Sequence, residues 1–151
     1  MFKDSGFTAI RTVEFMSFDF PRAHTNGLLE MPTTMQAFPQ PPWNYAKNLA
    51  KRLAVGNFVR YAFHGRSRDW VTLADRLVKR VLTSGGVFHL WGHSWELQRT
   101  NQWDRLQDVL RLLGELKTQA PCLTNGQIVQ EALAVPAQHV GVRPTRAAVL
   151  L

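Results

Sequence analysis

The stretch Gly85-Gly86-Val87-Phe88-His89-Leu90-Trp91-Gly92-His93-Ser94-Trp95-Glu96 places two histidines, two tryptophans and a carboxylate side by side. If the chain performs chemistry, these residues carry it. Val87 to Trp91 is β-branched and aromatic and follows a glycine pair, which is the pattern of a strand. On a strand that continues to His93, residues 87, 89, 91 and 93 share one face, and His89 and His93 stand roughly 13 Å apart at about 3.3 Å per residue. They cannot then ligate one metal together. On a helix the same His-x-x-x-His spacing would suit zinc, but the residue types and Gly92 argue against a helix. His89 reads as a hydrogen-bonded histidine of the interior. His93 reads as the rim of a cleft, where an imidazole can hold and deliver a proton near neutral pH. Trp91 and Trp95 are core or cleft wall, Glu96 lies beside them, and no residue is assigned as a metal ligand.

Flanking elements must hold this strand. Trp70, Leu73, Leu77 and Val81 form one apolar stripe, predicting a helix from a Ser67 cap to about Thr83, broken by Ser84-Gly85-Gly86. After the strand and its loop, Asn101 is expected to cap a helix that buries Trp103, Leu106, Leu110 and Leu113 and carries Asp104 in its first turn. Thr124 with Gln127 has capping-box spacing for a last helix, with Ile128, Val129, Ala132 and Leu133 as its face. Upstream, Gly6 looks like a helix C-cap, Thr8–Val13 like a short strand, and Glu14–Asn26 like a long aromatic loop. Leu29–Phe38 could be a strand, although Pro32 belongs at an edge or bulge. Ala46, Leu49, Ala50 and Leu53 predict a helix over Asn44–Ala54, and Asn57–Ser67 is either a strand or a packed loop. Residues 136–151 show no period and are expected to be a poorly ordered tail. Strands alternating with amphipathic helices imply an α/β domain over 1–135, with functional residues at the C-terminal ends of parallel strands.

Composition narrows the class. At 151 residues with 45% apolar content the chain can bury one ordinary core. Its one cysteine, Cys122, excludes an internal disulfide and a cysteine zinc cluster and is expected to be an inert packed thiol. No apolar run approaches the roughly 18 residues of a membrane span, and no signal-peptide pattern opens the chain. A cytoplasmic location is the default expectation; a missing N-terminus could have carried a signal. The net charge of +7 is concentrated between Lys47 and Arg80. Lys47 with Lys51, and Arg76 with Arg80, have the spacing of solvated helix faces, and no nucleic-acid-binding motif accompanies them.

The run Phe88-His89-Leu90-Trp91-Gly92-His93-Ser94-Trp95-Glu96, with Trp103-Asp104-Arg105-Leu106 and a leucine-rich helix after it, resembles the C-terminal section of polysaccharide deacetylases, carbohydrate esterases related to chitooligosaccharide deacetylase. Gly6-Phe7-Thr8-Ala9-Ile10-Arg11-Thr12 and Glu30-Met31-Pro32-Thr33-Thr34-Met35-Gln36 are similar to the same section, so the likeness spans about residues 1–130. It implies the C-terminal portion of a distorted (β/α) barrel that removes N-acetyl groups from sugars with a divalent metal, usually zinc. It also implies that a late strand-end histidine protonates the departing amine. That role falls on His93, with His89 the second choice, and Trp91, Trp95 and Glu96 would line the sugar cleft.

The family's base and metal ligands come from a Thr-Phe-Asp-Asp motif and a His-Ser/Thr-x-x-His motif. Ser17-Phe18-Asp19-Phe20 lacks the second aspartate, and His24-Thr25-Asn26-Gly27-Leu28 ends on leucine. The resemblance therefore implies a deacetylase portion whose metal ligands are absent from this chain, inactive alone and prone to self-association through apolar faces left uncovered. The alternative is a non-catalytic glycan- or polyanion-binding module.

Overall fold

A computed structural model describes residues 6–24, 27–38, 47, 59, 67, 69–134 and 147–150. The architecture is mixed α/β, with mostly parallel strands. In chain order the elements are β1 (Ala9–Thr12), β2 (Arg22–Ala23), β3 (Leu29–Pro32), β4 (Met35–Gln36), α1 (Trp70–Ser84), β5 (Gly86–Trp91), α2 (Ser94–Arg99), α3 (Trp103–Glu115), β6 (Cys122–Leu123), α4 (Asn125–Ala134) and β7 (Ala147–Leu150). One sheet runs β1-β3-β2 and the other β4-β5-β7-β6. All pairs are parallel except β2 with β3. The last strand lies between β5 and β6, an order that differs from the sequential winding of a simple (β/α) barrel.

The two sheets meet at Thr33–Thr34, and the hydrogen bonds around them show why pairing changes there. Leading up to β4, the edge of β5 is taken by the Met16–Phe18 segment: Val87 donates its N–H to the Phe18 carbonyl at 2.9 Å and Met16 to the Thr34 carbonyl at 2.8 Å. Beyond Thr34, β4 takes over the edge, with Met35 opposite Leu90. The fully buried Thr34 hydroxyl joins the two arrangements. Its single proton is shared between the carbonyls of Ser17 (2.7 Å) and Val87 (3.1 Å), and its oxygen accepts from the His89 N–H (2.9 Å). Gly86 makes the wedge sterically feasible: its φ is +114°, and a Cβ there would lie 2.5 Å from the Phe18 carbonyl oxygen.

Alternation along β5 divides the core. Phe88 and Leu90 pack with Leu73, Leu77, Val81, Val109 and Leu113 of α1 and α3. Val87 faces the other way, among Met31, Ala148, Leu150 and the α4 residues Ile128 and Val129. With both faces covered, Val87 to Leu90 are all buried and β5 shows none of the polar–apolar alternation of a half-exposed strand.

Several sequence expectations need correction. The cap of α1 is Asp69, whose carboxylate accepts from the N–H groups of Val71 and Thr72 and pairs with Arg105, whereas Ser67 hydrogen-bonds the Asp69 backbone. Asn101 does not cap α3. With φ at +52° it follows the C-cap of α2, a left-handed conformation that asparagine tolerates at helix ends. The buried stripe of α3 is Val109 and Leu113 with Leu106 beside them, while Trp103 and Leu110 are exposed. Thr124 and Gln127 do form the capping box of α4: the Thr124 N–H donates to Gln127 Oε1 at 2.8 Å and the Gln127 N–H to Thr124 Oγ1 at 3.3 Å. Leu133 on that helix is exposed, as is Cys122 on β6, which was expected to be packed.

The expected tail contains β7, whose four residues are all buried between β5 and β6, so the poorly ordered reading fails for Ala147–Leu150. The aromatic loop over Glu14–Asn26 includes β2 and the buried Phe15, Met16 and Phe18. The helix read over Asn44–Ala54 apart from Lys47, the undecided segment Asn57–Ser67 apart from Val59 and Ser67, and residues 135–146 lie outside the described residues. No helix among the described residues is long and apolar enough to cross a membrane.

Candidate functional site

Parallel strands bring their C-terminal ends to one edge, where β1, β3, β4 and β5 deliver Arg11, Thr33, Gln36 and Trp91. Here β5 passes through Gly92 into His93, whose backbone is still extended (φ −107°, ψ 129°) and which serves as the N-cap residue of α2. This short helix occupies what the sequence suggested was a loop. It turns Trp95 back toward His93 and carries Arg99 one turn further on.

The result is a series of ring and cation contacts. The Arg11 guanidinium carbon lies over the Trp91 ring, 4.4 Å from its centroid. Trp91 meets His93 edge to face, with centroids 4.5 Å apart, and His93 stacks on Trp95 at 5.4 Å. The Arg99 guanidinium carbon lies over Trp95 at 5.0 Å. Trp91 and His93 are half-buried, and Trp95 is 54% exposed. Glu96 is fixed beside the series by the Gln36 side-chain amide, which donates to Glu96 Oε2 at 2.6 Å. The sequence reading that grouped Trp91, His93, Trp95 and Glu96 thus corresponds to one neighbourhood.

His89 is separate from this edge series. It is 98% buried (2% exposed), and its Nδ1 stands 3.0 Å from the Pro32 carbonyl. A carbonyl can only accept, so Nδ1 carries the proton and donates it, which leaves the Nε2 lone pair as an acceptor. Desolvation lowers the His89 pKa, the Pro32 hydrogen bond opposes that shift, and the positive charge of Arg11 adds to it. The ring is held neutral and by its Nδ1–H ties β5 to the end of β3. Nearby, Thr33 donates its hydroxyl to the Thr12 carbonyl at 2.6 Å, and the Thr12 hydroxyl is buried with no hydrogen-bond partner.

Arg11, Arg99 and Gln36 were missed in the sequence. Arg99 follows Trp95 by four residues, a helical i,i+4 spacing hidden because the segment read as loop. Arg11 sits at a strand end opposite Met31, and only the sheet register brings it to Trp91.

The family resemblance implies a divalent metal whose ligands were expected to be absent from this chain. Among the described residues no three histidine, cysteine, aspartate or glutamate side chains come together to hold one. Glu14, Asp19 and Glu30, the densest group of carboxylates around a single side chain, converge on the Arg22 guanidinium, which neutralises part of their charge. The described donor set does not fit a zinc centre.

Compared with known proteins, the chain matches no protein-family model, no curated protein and no solved structure.

Proposed function

We propose that this chain supplies the sugar-facing edge and the proton-donating histidine of a polysaccharide deacetylase-like domain acting on N-acetylated sugars, with its parallel strands belonging to a distorted (β/α) barrel. The observation that carries the reading is the contact series Trp91–His93–Trp95 at the C-terminal end of β5. Indole surface suits the apolar face of a pyranose ring, and a histidine between two indoles lies within reach of any sugar bound along them.

Between the two histidines, the geometry favours His93 as the acid. An amide nitrogen leaves as an amine only once a proton reaches it, so the donor must be able to carry a proton and touch the substrate. His89 meets neither condition: burial disfavours its charged form, and its one N–H is committed to Pro32. His89 is therefore a positioning residue that holds β5 in register beneath His93. Glu96, anchored by Gln36, and the two tryptophans complete the sugar-binding wall.

Activation of the hydrolytic water is not assigned to any described residue, and the chain alone is taken to bind sugar without hydrolysing it. A non-catalytic glycan-binding module is the second reading, favoured by the missing grouping of metal donors among the described residues. The coding region upstream of Met1 separates the two. An in-frame Asp-Asp motif followed by His-x-x-x-His supports the deacetylase reading, and an unrelated upstream region overturns it.

A further inference from the structure

Arg11 and Arg99 flank the aromatic series, and among the described residues neither guanidinium has a hydrogen-bond or ion-pair partner. Among the described residues nearby, Glu96 is engaged by Gln36, and burial disfavours the charged form of His89. A guanidinium lying over an indole is held in place by the ring while its N–H edge stays free, so its donors are oriented before any ligand arrives. Arg11 is in addition partly desolvated, which lowers its pKa. A cation in that setting gains more from an anion than one fully surrounded by water.

The geometry points to an acidic glycan as the ligand of this edge: a chain of sugars bearing carboxylate or sulfate groups, which Arg11 and Arg99 grip at either end of the Trp91–His93–Trp95 series. This rests on the reading of the edge as a sugar-binding wall and narrows it from neutral to anionic polymers. Carboxylate and sulfate share the chemistry that matters, two or more in-plane oxygens that accept from a guanidinium fork. Single-stranded nucleic acid also combines aromatic and cationic groups, but no nucleic-acid-binding motif accompanies these residues in the sequence.

Isothermal titration calorimetry on the full chain tests the inference with four probes: an oligogalacturonate tetrasaccharide, a chondroitin sulfate tetrasaccharide, neutral N-acetylchitotetraose and a short oligothymidylate. At least one acidic tetrasaccharide is expected to bind roughly tenfold or more tightly than the neutral one. Arg11→Gln and Arg99→Gln should each cost about tenfold in that affinity. Circular dichroism melting confirms that each variant folds, and Arg11→Lys and Arg99→Lys, which keep the charge but not the fork, should recover only part of the loss. The better acidic probe identifies carboxylate or sulfate as the recognised group. Equal binding of neutral and acidic sugars with silent arginine variants overturns the anionic inference and leaves the sugar-binding wall standing. No binding of any sugar overturns both, and tighter binding of oligothymidylate overturns the choice of glycan.

Discussion

Thr34 is the most informative residue to change, because one hydroxyl does the work of a missing rung between β4 and β5. Thr34→Val keeps the shape of the side chain and removes its hydrogen bonding. The His89 N–H loses its acceptor, and the Ser17 and Val87 carbonyls lose a donor, all at a fully buried position. A buried donor left unsatisfied costs about 1–3 kcal/mol, and with the weakened carbonyls the total loss should be about 2–4 kcal/mol. Thr34→Ser keeps the hydroxyl and loses a methyl group, for a cost of about 1 kcal/mol. Urea unfolding followed by tryptophan fluorescence measures both variants. The Val variant should unfold at a clearly lower urea midpoint than the Ser variant. A Val variant as stable as the parent, or a Ser variant as damaged as the Val variant, would refute the claim that this hydroxyl pins the register of β5.

Two glycines should respond in opposite directions. Gly86→Ala must bring a Cβ against the Phe18 carbonyl at a φ that other residues avoid, and is expected to cost about 2 kcal/mol or more, whereas Gly114→Ala, inside α3 with open space around it, should stabilise by about 0.5–1 kcal/mol. Thermal melting of the two variants checks the contrast, and equal effects would contradict the described wedge. The burial of neutral His89 gives a pH dependence with a definite sign. Its folded-state pKa lies below the ordinary 6.5, so the unfolded chain takes up the proton first and stability falls as pH drops below about 6.5. Urea midpoints measured across that range should show a shallower slope in His89→Gln, and an unchanged slope would remove His89 as the cause.

The parts of the fold that were legible in the sequence are those governed by local pattern. The stripe Trp70-Leu73-Leu77-Val81 and the apolar run into Trp91 identify α1 and β5 because each buries residues at its own period, and Thr124 with Gln127 marks the start of α4 through a purely local bond. Position in the sheet was less legible. Ala147–Leu150 lies in a short apolar run close behind Pro144 with no alternation to mark a strand, and only pairing with β5 and β6 makes it one. Caps were misplaced by one competing polar residue: Asp69 outbids Ser67 because a carboxylate at the positive end of a helix also attracts Arg105. At the site, the Trp91–His93–Trp95–Glu96 group was visible as a cluster of capable side chains. Its flanking cations were not, since Arg11 arrives from a strand some eighty positions away and Arg99 from an unrecognised helix.

The most direct test of the account is a titration of the full chain with N-acetylchitotetraose and with the oligogalacturonate tetrasaccharide, followed through the tryptophan indole N–H signals by ¹H–¹⁵N NMR. Trp91→Phe and Trp95→Phe assign the signals at the β5 edge, and Trp103→Phe assigns an exposed tryptophan outside the contact series. The account predicts saturable shifts at Trp91 and Trp95 with Trp103 unmoved. Shifts confined to Trp103, or no shifts with either sugar, would contradict the assignment of a sugar-binding wall to this strand end.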